Sequence, residues 1–229
     1  MIGGVIVLAV AILAVAIAVS SGGSSGGGLK KGKQQTQTVA SVTSLLSGIP
    51  QSGATLGNPN APVTMVYYGD LECPICRDFT VSGGLTPLIR NEVKQGKVKI
   101  VYKSFETATR DPSVFKTQQV AALAAGKQNR FWDYAELFYR QQGAEGTSYV
   151  TDAYLQNLAR QVPGLNPTQW ESDRNNSTLA NQVASDVQSG TTVGVQGTPT
   201  LIFTGPKGQT AIGNIATYPQ LQQAVQKVS

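Results

Sequence analysis

The sequence predicts an α/β domain that follows an apolar amino-terminal segment. Three observations support this prediction. Strand-like and helix-like runs alternate from residue 57 onward, the two cysteines stand three positions apart within that pattern, and residues 2–19 hold no polar side chain. With 229 residues, 41% of them hydrophobic, the chain can bury a sizeable core. The net charge of +5 is spread along the chain without a nucleic-acid-binding motif, so we expect no nucleic-acid partner.

The apolar run at residues 2–19 predicts a single transmembrane anchor, because about 18 apolar residues are the shortest run that crosses a bilayer as a helix. Residues 1–20 therefore form the predicted anchor, and the Gly/Ser-rich and polar stretch 21–50 is predicted to be a flexible linker. A cleaved signal peptide is the alternative, since Ala16-Ile17-Ala18 fits a small-residue cleavage site. The length of the run and the lack of a preceding basic residue favour the uncleaved anchor.

Two features disagree about the orientation of this anchor. Lys30, Lys31 and Lys33 follow the apolar run and by themselves place the domain in the cytoplasm. The cysteine pair favours the other side of the membrane, because persistent disulfides belong to oxidising compartments. We expect a single-pass cell-membrane protein whose globular part is extracytoplasmic, or a secreted protein if the segment is cleaved.

The globular part is predicted to begin at residue 51, and its first elements surround the cysteines. Val63-Thr64-Met65-Val66-Tyr67-Tyr68 is a β-branched and aromatic run that predicts a buried strand. Gly69 and Asp70 end this strand. A helical pattern then follows the cysteines to about residue 94, and residues 98–104 predict a second strand.

A block of helices, two strands and a closing helix complete the predicted order. Helical periods and capping residues fill most of residues 111–188. Strands are predicted at 200–204 and 209–212, joined by the turn Gly205-Pro206-Lys207-Gly208, and a helix at 218–228. The elements therefore follow the order β-α-β, helices, β-β-α.

The cysteine pair lies in the hexapeptide Glu72-Cys73-Pro74-Ile75-Cys76-Arg77. Two cysteines at this spacing, after a strand and at the start of a helix, indicate a redox-active dithiol. Because the chain has no histidine, two thiols cannot complete a four-ligand zinc site, and we expect neither a metal nor a cofactor. A structural disulfide or two inert thiols are the alternatives, although a disulfide across so short a loop would constrain the unfolded chain little.

Four segments together resemble the DsbA-like thiol–disulfide oxidoreductases, in which helices interrupt a thioredoxin fold. These segments are Gly57-Asn58-Pro59-Asn60-Ala61-Pro62-Val63, Cys73-Pro74-Ile75-Cys76, Phe131-Trp132-Asp133-Tyr134 and Gly194-Val195-Gln196-Gly197-Thr198-Pro199-Thr200. The resemblance covers about residues 57–228. It implies a thioredoxin domain at 51–229 with a helical insertion at about 108–190, preceded by the transmembrane helix. It also implies that Pro199 is cis and lies against the dithiol, and that Thr198 offers its backbone to a bound peptide.

The resemblance and the helix position give the two sulfurs unequal roles. Cys73 is expected at the start of a helix, with Pro74 at the first helical position, where free N–H groups and the helix dipole stabilise a thiolate. This sulfur is expected to be exposed and to exchange with substrate. Cys76 is expected to be buried, to have a higher pKa and to act as the resolving sulfur. Arg77 would support the Cys73 thiolate and Glu72 would oppose it.

Two departures from the family pattern bear on the redox direction. Ile75 stands where oxidising members often have histidine, so we expect a less depressed pKa for Cys73 and a milder oxidant. Tyr67 stands six residues before Cys73, where many thioredoxin-fold enzymes carry a buried acid. Water or another group must then accept the proton of Cys76.

The sequence therefore favours a membrane-tethered, extracytoplasmic dithiol oxidase. Its expected partners are cysteine-containing protein substrates and a membrane protein that reoxidises the dithiol. A reductase or isomerase on the same scaffold is one alternative, although isomerases usually dimerise and the sequence shows no dimerisation domain. The other alternative is a peptide-binding or chaperone-like module whose disulfide is only structural.

Overall fold

The computed structural model describes residues 29–213 and 215–229. The predicted membrane anchor and the Gly/Ser-rich stretch lie outside these residues. Within the described ranges, no helix combines the length and the apolarity that a bilayer crossing requires.

Strands and helices follow one another in the predicted order from residue 63 onward. The strands are β1 (Gln51–Ser52), β2 (Thr55–Leu56), β3 (Val63–Gly69), β4 (Val98–Ser104), β5 (Thr200–Gly205) and β6 (Gly208–Gly213). The helices are α1 (Gly32–Leu46), α2 (Pro74–Val81), α3 (Leu85–Leu88), α4 (Pro112–Gly126), α5 (Phe131–Arg140), α6 (Asp152–Gln161), α7 (Pro167–Arg174), α8 (Ser177–Thr192) and α9 (Tyr218–Val228). A π-helical turn at Ile89–Val93 continues α3.

The described strands form one six-stranded sheet in the order β1-β2-β4-β3-β5-β6. β3 and β4 are parallel, and their last residues, Gly69 and Ser104, lie opposite each other. β5 is antiparallel to β3, with Thr200 at its start opposite Tyr68. The segments that follow β3 and β4 and the segment that precedes β5 therefore meet at one edge of the sheet.

The helices α4 to α8 form the insertion between β4 and β5, as the sequence predicts. Side-chain caps begin several of them: Asp111 accepts a hydrogen bond from the Ser113 N–H at α4, Thr151 from Tyr154 at α6, and Asn166 from Thr168 and Gln169 at α7. These features confirm an α/β thioredoxin-like fold with inserted helices.

Helix α5 joins the insertion to the helix that carries the cysteines. It begins with the buried residues of the Phe131-Trp132-Asp133-Tyr134 motif, and the Trp132 indole N–H donates to the carbonyl oxygen of Ala54 at 3.0 Å. Helix α5 packs against both α1 and α2. This aromatic segment therefore belongs to the core that supports the dithiol.

The predicted linker is wrong for residues 32–46, which form helix α1. Three of its apolar residues, Val42, Leu45 and Leu46, are buried where the helix packs against α5. Glutamine, threonine and serine occupy most positions between them, so the helical period is weak in the sequence. Tertiary packing rather than local propensity stabilises such a helix. The short hairpin β1–β2 also escaped prediction, because two-residue strands leave no periodic pattern.

Candidate active site

Cys73 caps the amino terminus of helix α2, with Pro74 at the first helical position. The backbone N–H of Cys76 donates to the Cys73 sulfur at 3.3 Å. Such donation is available because the first N–H groups of a helix have no partner within the helix. The pKa of Cys73 is lowered from 9.0 to about 7, chiefly by its hydrogen bond with Cys76, while burial acts in the opposite direction. Cys73 is thus the thiol that ionises near neutral pH.

Cys76 lies one turn further along α2 and is completely buried. Burial raises its pKa well above 9.0, and the hydrogen bond and charge of Cys73 raise it further. The two cysteines are in the dithiol form in this structure. The expected contrast in pKa between the two thiols is present, but the expected exposure of Cys73 is wrong, because the cis-proline loop covers it and leaves only 4% of its surface accessible.

The loop before β5 lies against Cys73. The Thr198–Pro199 peptide bond is cis, as the resemblance implies. The Cys73 thiol donates to the carbonyl oxygen of Thr198 at 3.4 Å. The pairing of Thr200 with Tyr68 brings this loop to the dithiol, because Tyr68 lies near the end of the strand that leads to Cys73. The dithiol and the cis-proline loop therefore form one site.

Ile75 is the exposed member of the dithiol motif, with 40% of its surface accessible. It places an apolar side chain beside Cys73 where a cationic residue would lower the thiol pKa further. The pKa of Cys73 falls to about 7 through its hydrogen bond with Cys76, and burial and the charge of Asp70 oppose this lowering.

The two predicted modulators of Cys73 have other surroundings. The guanidinium of Arg77 binds the neighbouring carboxylate of Asp78 at 2.9 Å. Glu72 is largely buried at the wall of a cavity of about 160 Å³ that residues 108–111 also line, and burial raises its pKa from 4.5 to about 7. The charged side chain that acts on the pKa of Cys73 is Asp70, which raises it. The sequence-based choice of Arg77 and Glu72 therefore missed the relevant charge.

The sequence predicts that no buried acid accepts the proton of Cys76. Tyrosine hydroxyls lie in this part of the core instead. Tyr67 is fully buried, and its hydroxyl donates to the Tyr139 hydroxyl at 3.4 Å. The Tyr139 hydroxyl in turn donates to the carbonyl oxygen of Asp70 at 3.3 Å. Burial raises the pKa of both tyrosines well above 10.0, with the charge of Cys76 as a further cause. These hydroxyls keep their protons at neutral pH, so they cannot act as the base for Cys76.

The family model described as thioredoxin matches residues 51–227. The chain belongs to this thioredoxin family. Disulfide bond formation protein D of Bacillus subtilis is 28% identical over 178 residues, a match that covers 75% of each chain. The probable disulfide bond formation protein D of Bacillus anthracis is 27% identical over 159 residues, with 66% of this chain and 69% of that protein covered.

A solved structure agrees with these sequence matches. Oxidised BdbD from Bacillus subtilis is 25% identical and superposes with a TM-score of 0.66, covering 80% of this chain and 96% of its own. Together with the dithiol at the start of α2, the matches make this chain a DsbA-like thiol–disulfide oxidoreductase of the thioredoxin family.

Proposed function

We propose that the protein is a dithiol oxidase that transfers its Cys73–Cys76 disulfide to cysteine-containing proteins. The observation that supports this most directly is the contrast between its two thiols, with the pKa of Cys73 near neutrality beneath the Thr198 carbonyl and that of Cys76 raised by burial. The thiolate of an acidic cysteine is a good leaving group, so a dithiol of this kind favours release of Cys73 from a mixed disulfide.

The oxidation proceeds through a mixed disulfide. A substrate thiolate attacks the Cys73 sulfur of the disulfide, the Cys73–Cys76 bond breaks, and Cys76 leaves and takes up a proton. The second substrate thiolate then attacks the substrate sulfur bonded to Cys73, and Cys73 leaves as a thiolate. Two electrons thereby pass from the substrate dithiol to the protein. Because Cys73 has a lowered pKa, it is a good leaving group in this second step.

Replacement of each cysteine tests this mechanism. The oxidised full-length chain should oxidise a peptide that carries two cysteines, and Cys73→Ser should abolish this activity. The reduced Cys76→Ser chain, mixed with the disulfide form of the same peptide, should accumulate a mixed disulfide between Cys73 and the peptide, visible by mass spectrometry, because no Cys76 thiol is present to release it. A wild-type chain that binds an unfolded client without oxidising the peptide would instead support the chaperone-like alternative.

We propose further that residues 2–19 tether the domain on the extracytoplasmic side of the cell membrane, where a membrane protein reoxidises it. The apolar run and the oxidising role support this placement. A membrane-impermeant maleimide should label reduced Cys73 in intact cells, and the protein should sediment with membranes. Labelling that requires cell lysis would place the domain in the cytoplasm and favour a reductase.

A further inference from the structure

Asp70 joins the end of β3 to the dithiol, and its buried carboxylate is saturated by hydrogen bonds. One oxygen accepts the backbone N–H groups of Thr107, Ala108 and Thr109 at 2.9–3.0 Å. The other accepts the Thr109 hydroxyl at 2.6 Å and the Glu72 backbone N–H at 3.0 Å. An ionised carboxylate is costly to bury unless its oxygens are bonded in this way. Asp70 therefore ties the segment 107–109, which follows β4, to the turn that carries the cysteines.

The backbone of Asp70 holds the dithiol turn from the other side. Its carbonyl oxygen accepts the Cys73 N–H at 3.1 Å and the Tyr139 hydroxyl at 3.3 Å. Gln118, on helix α4, donates to the Thr109 hydroxyl at 2.7 Å and so fixes the group that bonds the carboxylate. One residue is thus bonded to the cysteine turn, to the segment after β4 and to the insertion.

The segment that Asp70 fixes also reaches the cis-proline loop. The hydroxyl of Thr107 is hydrogen-bonded to the hydroxyl of Thr198. Thr198 in turn presents its carbonyl oxygen to Cys73, and its side chain lowers the pKa of both cysteines. A continuous path of hydrogen bonds therefore runs from Asp70 through Thr107 and Thr198 to Cys73.

We propose that Asp70 and Thr107 are positioning residues for disulfide exchange, Asp70 by locking the segment 107–109 to the dithiol turn and Thr107 by holding Thr198 over Cys73. This inference rests on the proposed function, because it names the groups that set the geometry of that exchange. Sheet pairing alone fixes Gly69, Ser104 and Thr200, and it leaves the three connecting segments free to shift beyond the last paired residue. The hydrogen bonds of Asp70 and Thr107 join these three segments to one another.

Thr107→Val tests the proposal with little risk to folding, because the Thr107–Thr198 pair is exposed. Misplacement of Thr198 should slow the attack of a dicysteine peptide on the oxidised full-length chain by about 10- to 100-fold. The reaction with dithiothreitol, which has no backbone to bind along Thr198, should change much less. Thr107→Ser should restore the peptide rate. Thr117→Val, which removes an exposed helical hydroxyl from α4, is the matched control and should behave as the wild type.

The contribution of Asp70 follows from a double-mutant cycle on the peptide rate. Asp70→Asn and Thr107→Val should be non-additive, because both act through the same path. If Asp70→Asn does not fold, Thr109→Val, which removes one donor to the carboxylate and keeps its backbone bonds, takes its place. Additive effects would overturn the role of Asp70, and a Thr107→Val chain as fast as the wild type would overturn the proposal. A wild-type chain that fails to oxidise the peptide would instead overturn the proposed function.

Discussion

At the residue scale, two thiols three positions apart differ because of where each sulfur lies on helix α2. Cys73 caps the helix and accepts a hydrogen bond from the N–H of Cys76, whereas Cys76 lies within the helix and is completely buried in the core. The helix terminus stabilises a negative charge on the first sulfur, and burial penalises it on the second. The same local motif thus produces two opposite pKa shifts.

The reduced folded chain should therefore titrate in two well-separated steps. Alkylation of Cys73 by iodoacetamide should rise with a midpoint at about pH 7, while Cys76 should remain unreactive below its ordinary pKa of 9.0. Mass spectrometry of peptides alkylated across a pH series measures both thiols. The urea-unfolded chain serves as the control, and there the two thiols should react alike. Equal midpoints in the folded chain would contradict the assigned asymmetry.

Glu72 should make the stability of the fold depend on pH. Its pKa is raised from 4.5 to about 7 by burial, so the folded state prefers the protonated acid. The contribution of Glu72 to the free energy of unfolding is fully present below pH 4.5 and is lost as the pH rises through about 7. Glu72→Gln removes that loss, so its unfolding free energy relative to wild type should be greater at about pH 8 than at about pH 5.

Urea unfolding at the two pH values measures this difference. Glu145→Gln is the matched control, because Glu145 lines the same cavity but is exposed to solvent. The same shift in both variants, or no pH dependence in Glu72→Gln, would show that burial of Glu72 is not the cause.

At the element scale, helix α1 shows how packing creates structure from a polar sequence. Its buried residues contact α5, the helix that also packs against α2. The backbone N–H of Lys30, just before α1, donates to the Gln141 side chain at 2.9 Å and anchors the start of the described chain to the end of α5. The helix is therefore part of the folded domain rather than part of a tether.

Leu45→Ala should destabilise the domain by about 2–4 kcal/mol, because it removes a buried side chain and leaves a cavity beside α5. Ser41→Ala, on the exposed face of the same helix, should change the unfolding free energy by less than about 0.5 kcal/mol. Denaturant unfolding compares the two variants. If Leu45→Ala leaves the unfolding free energy unchanged, this segment behaves as the flexible linker that its sequence predicts.

The contact between α8 and the end of β4 is close enough to require glycine. A Cβ atom at Gly190 would lie 2.4 Å from the Phe105 ring and 3.1 Å from the Tyr68 ring. Because Phe105 begins the segment that leads to Thr107, Gly190→Ala should cost about 1–3 kcal/mol and should also slow peptide oxidation. Gly213→Ala, where no atom lies within 4 Å of the added Cβ, is the control for the unfolding and activity measurements. Unchanged stability and activity in Gly190→Ala would contradict this account.

At the scale of the whole molecule, the acidity of Cys73 sets the oxidising strength. Its pKa of about 7 resembles that of thioredoxin, roughly 7, more than that of DsbA, roughly 3.5. We therefore expect a reduction potential between the roughly −270 mV of thioredoxin and the roughly −120 mV of DsbA. Equilibration with glutathione redox buffers measures it. A potential at or below that of thioredoxin would favour the reductase alternative.

The same acidity should link redox state to stability. The pKa of Cys73 in the folded chain lies below the unfolded value of 9.0. The stabilisation that Cys73 gives to the folded reduced form is therefore present above pH 9.0 and is lost as the pH falls through about 7. The oxidised form has no thiol to titrate. As the pH rises from about 6 to about 8.5, the unfolding free energy of the reduced form should increase relative to that of the oxidised form. Parallel unfolding of both forms tests this, and a constant difference would contradict it.

Sequence patterns were sufficient for the elements that have local determinants. Preferences for a strand or for the start of a helix act within a few residues. They account for the β-branched run of β3, for Pro74 after Cys73 and for the caps Asp111 and Thr151. The loop at Thr198–Pro199 was recognised only through the family resemblance, since its local sequence by itself favours a trans proline at the start of an edge strand. Helix α1 and the hairpin β1–β2 were missed, because partners far along the chain stabilise them.

The sequence by itself determined the dithiol, the helix it caps, the order of strands and helices and the milder acidity expected beside Ile75. Only the tertiary structure decided which charge acts on Cys73, what surrounds Cys76 and how the two halves of the site are joined. The parallel pairing of β3 with β4 sets Asp70 beside Thr107, and the antiparallel pairing of β5 brings Thr198 to both. Contacts between residues so distant in the chain follow from strand pairing, and no local pattern encodes them.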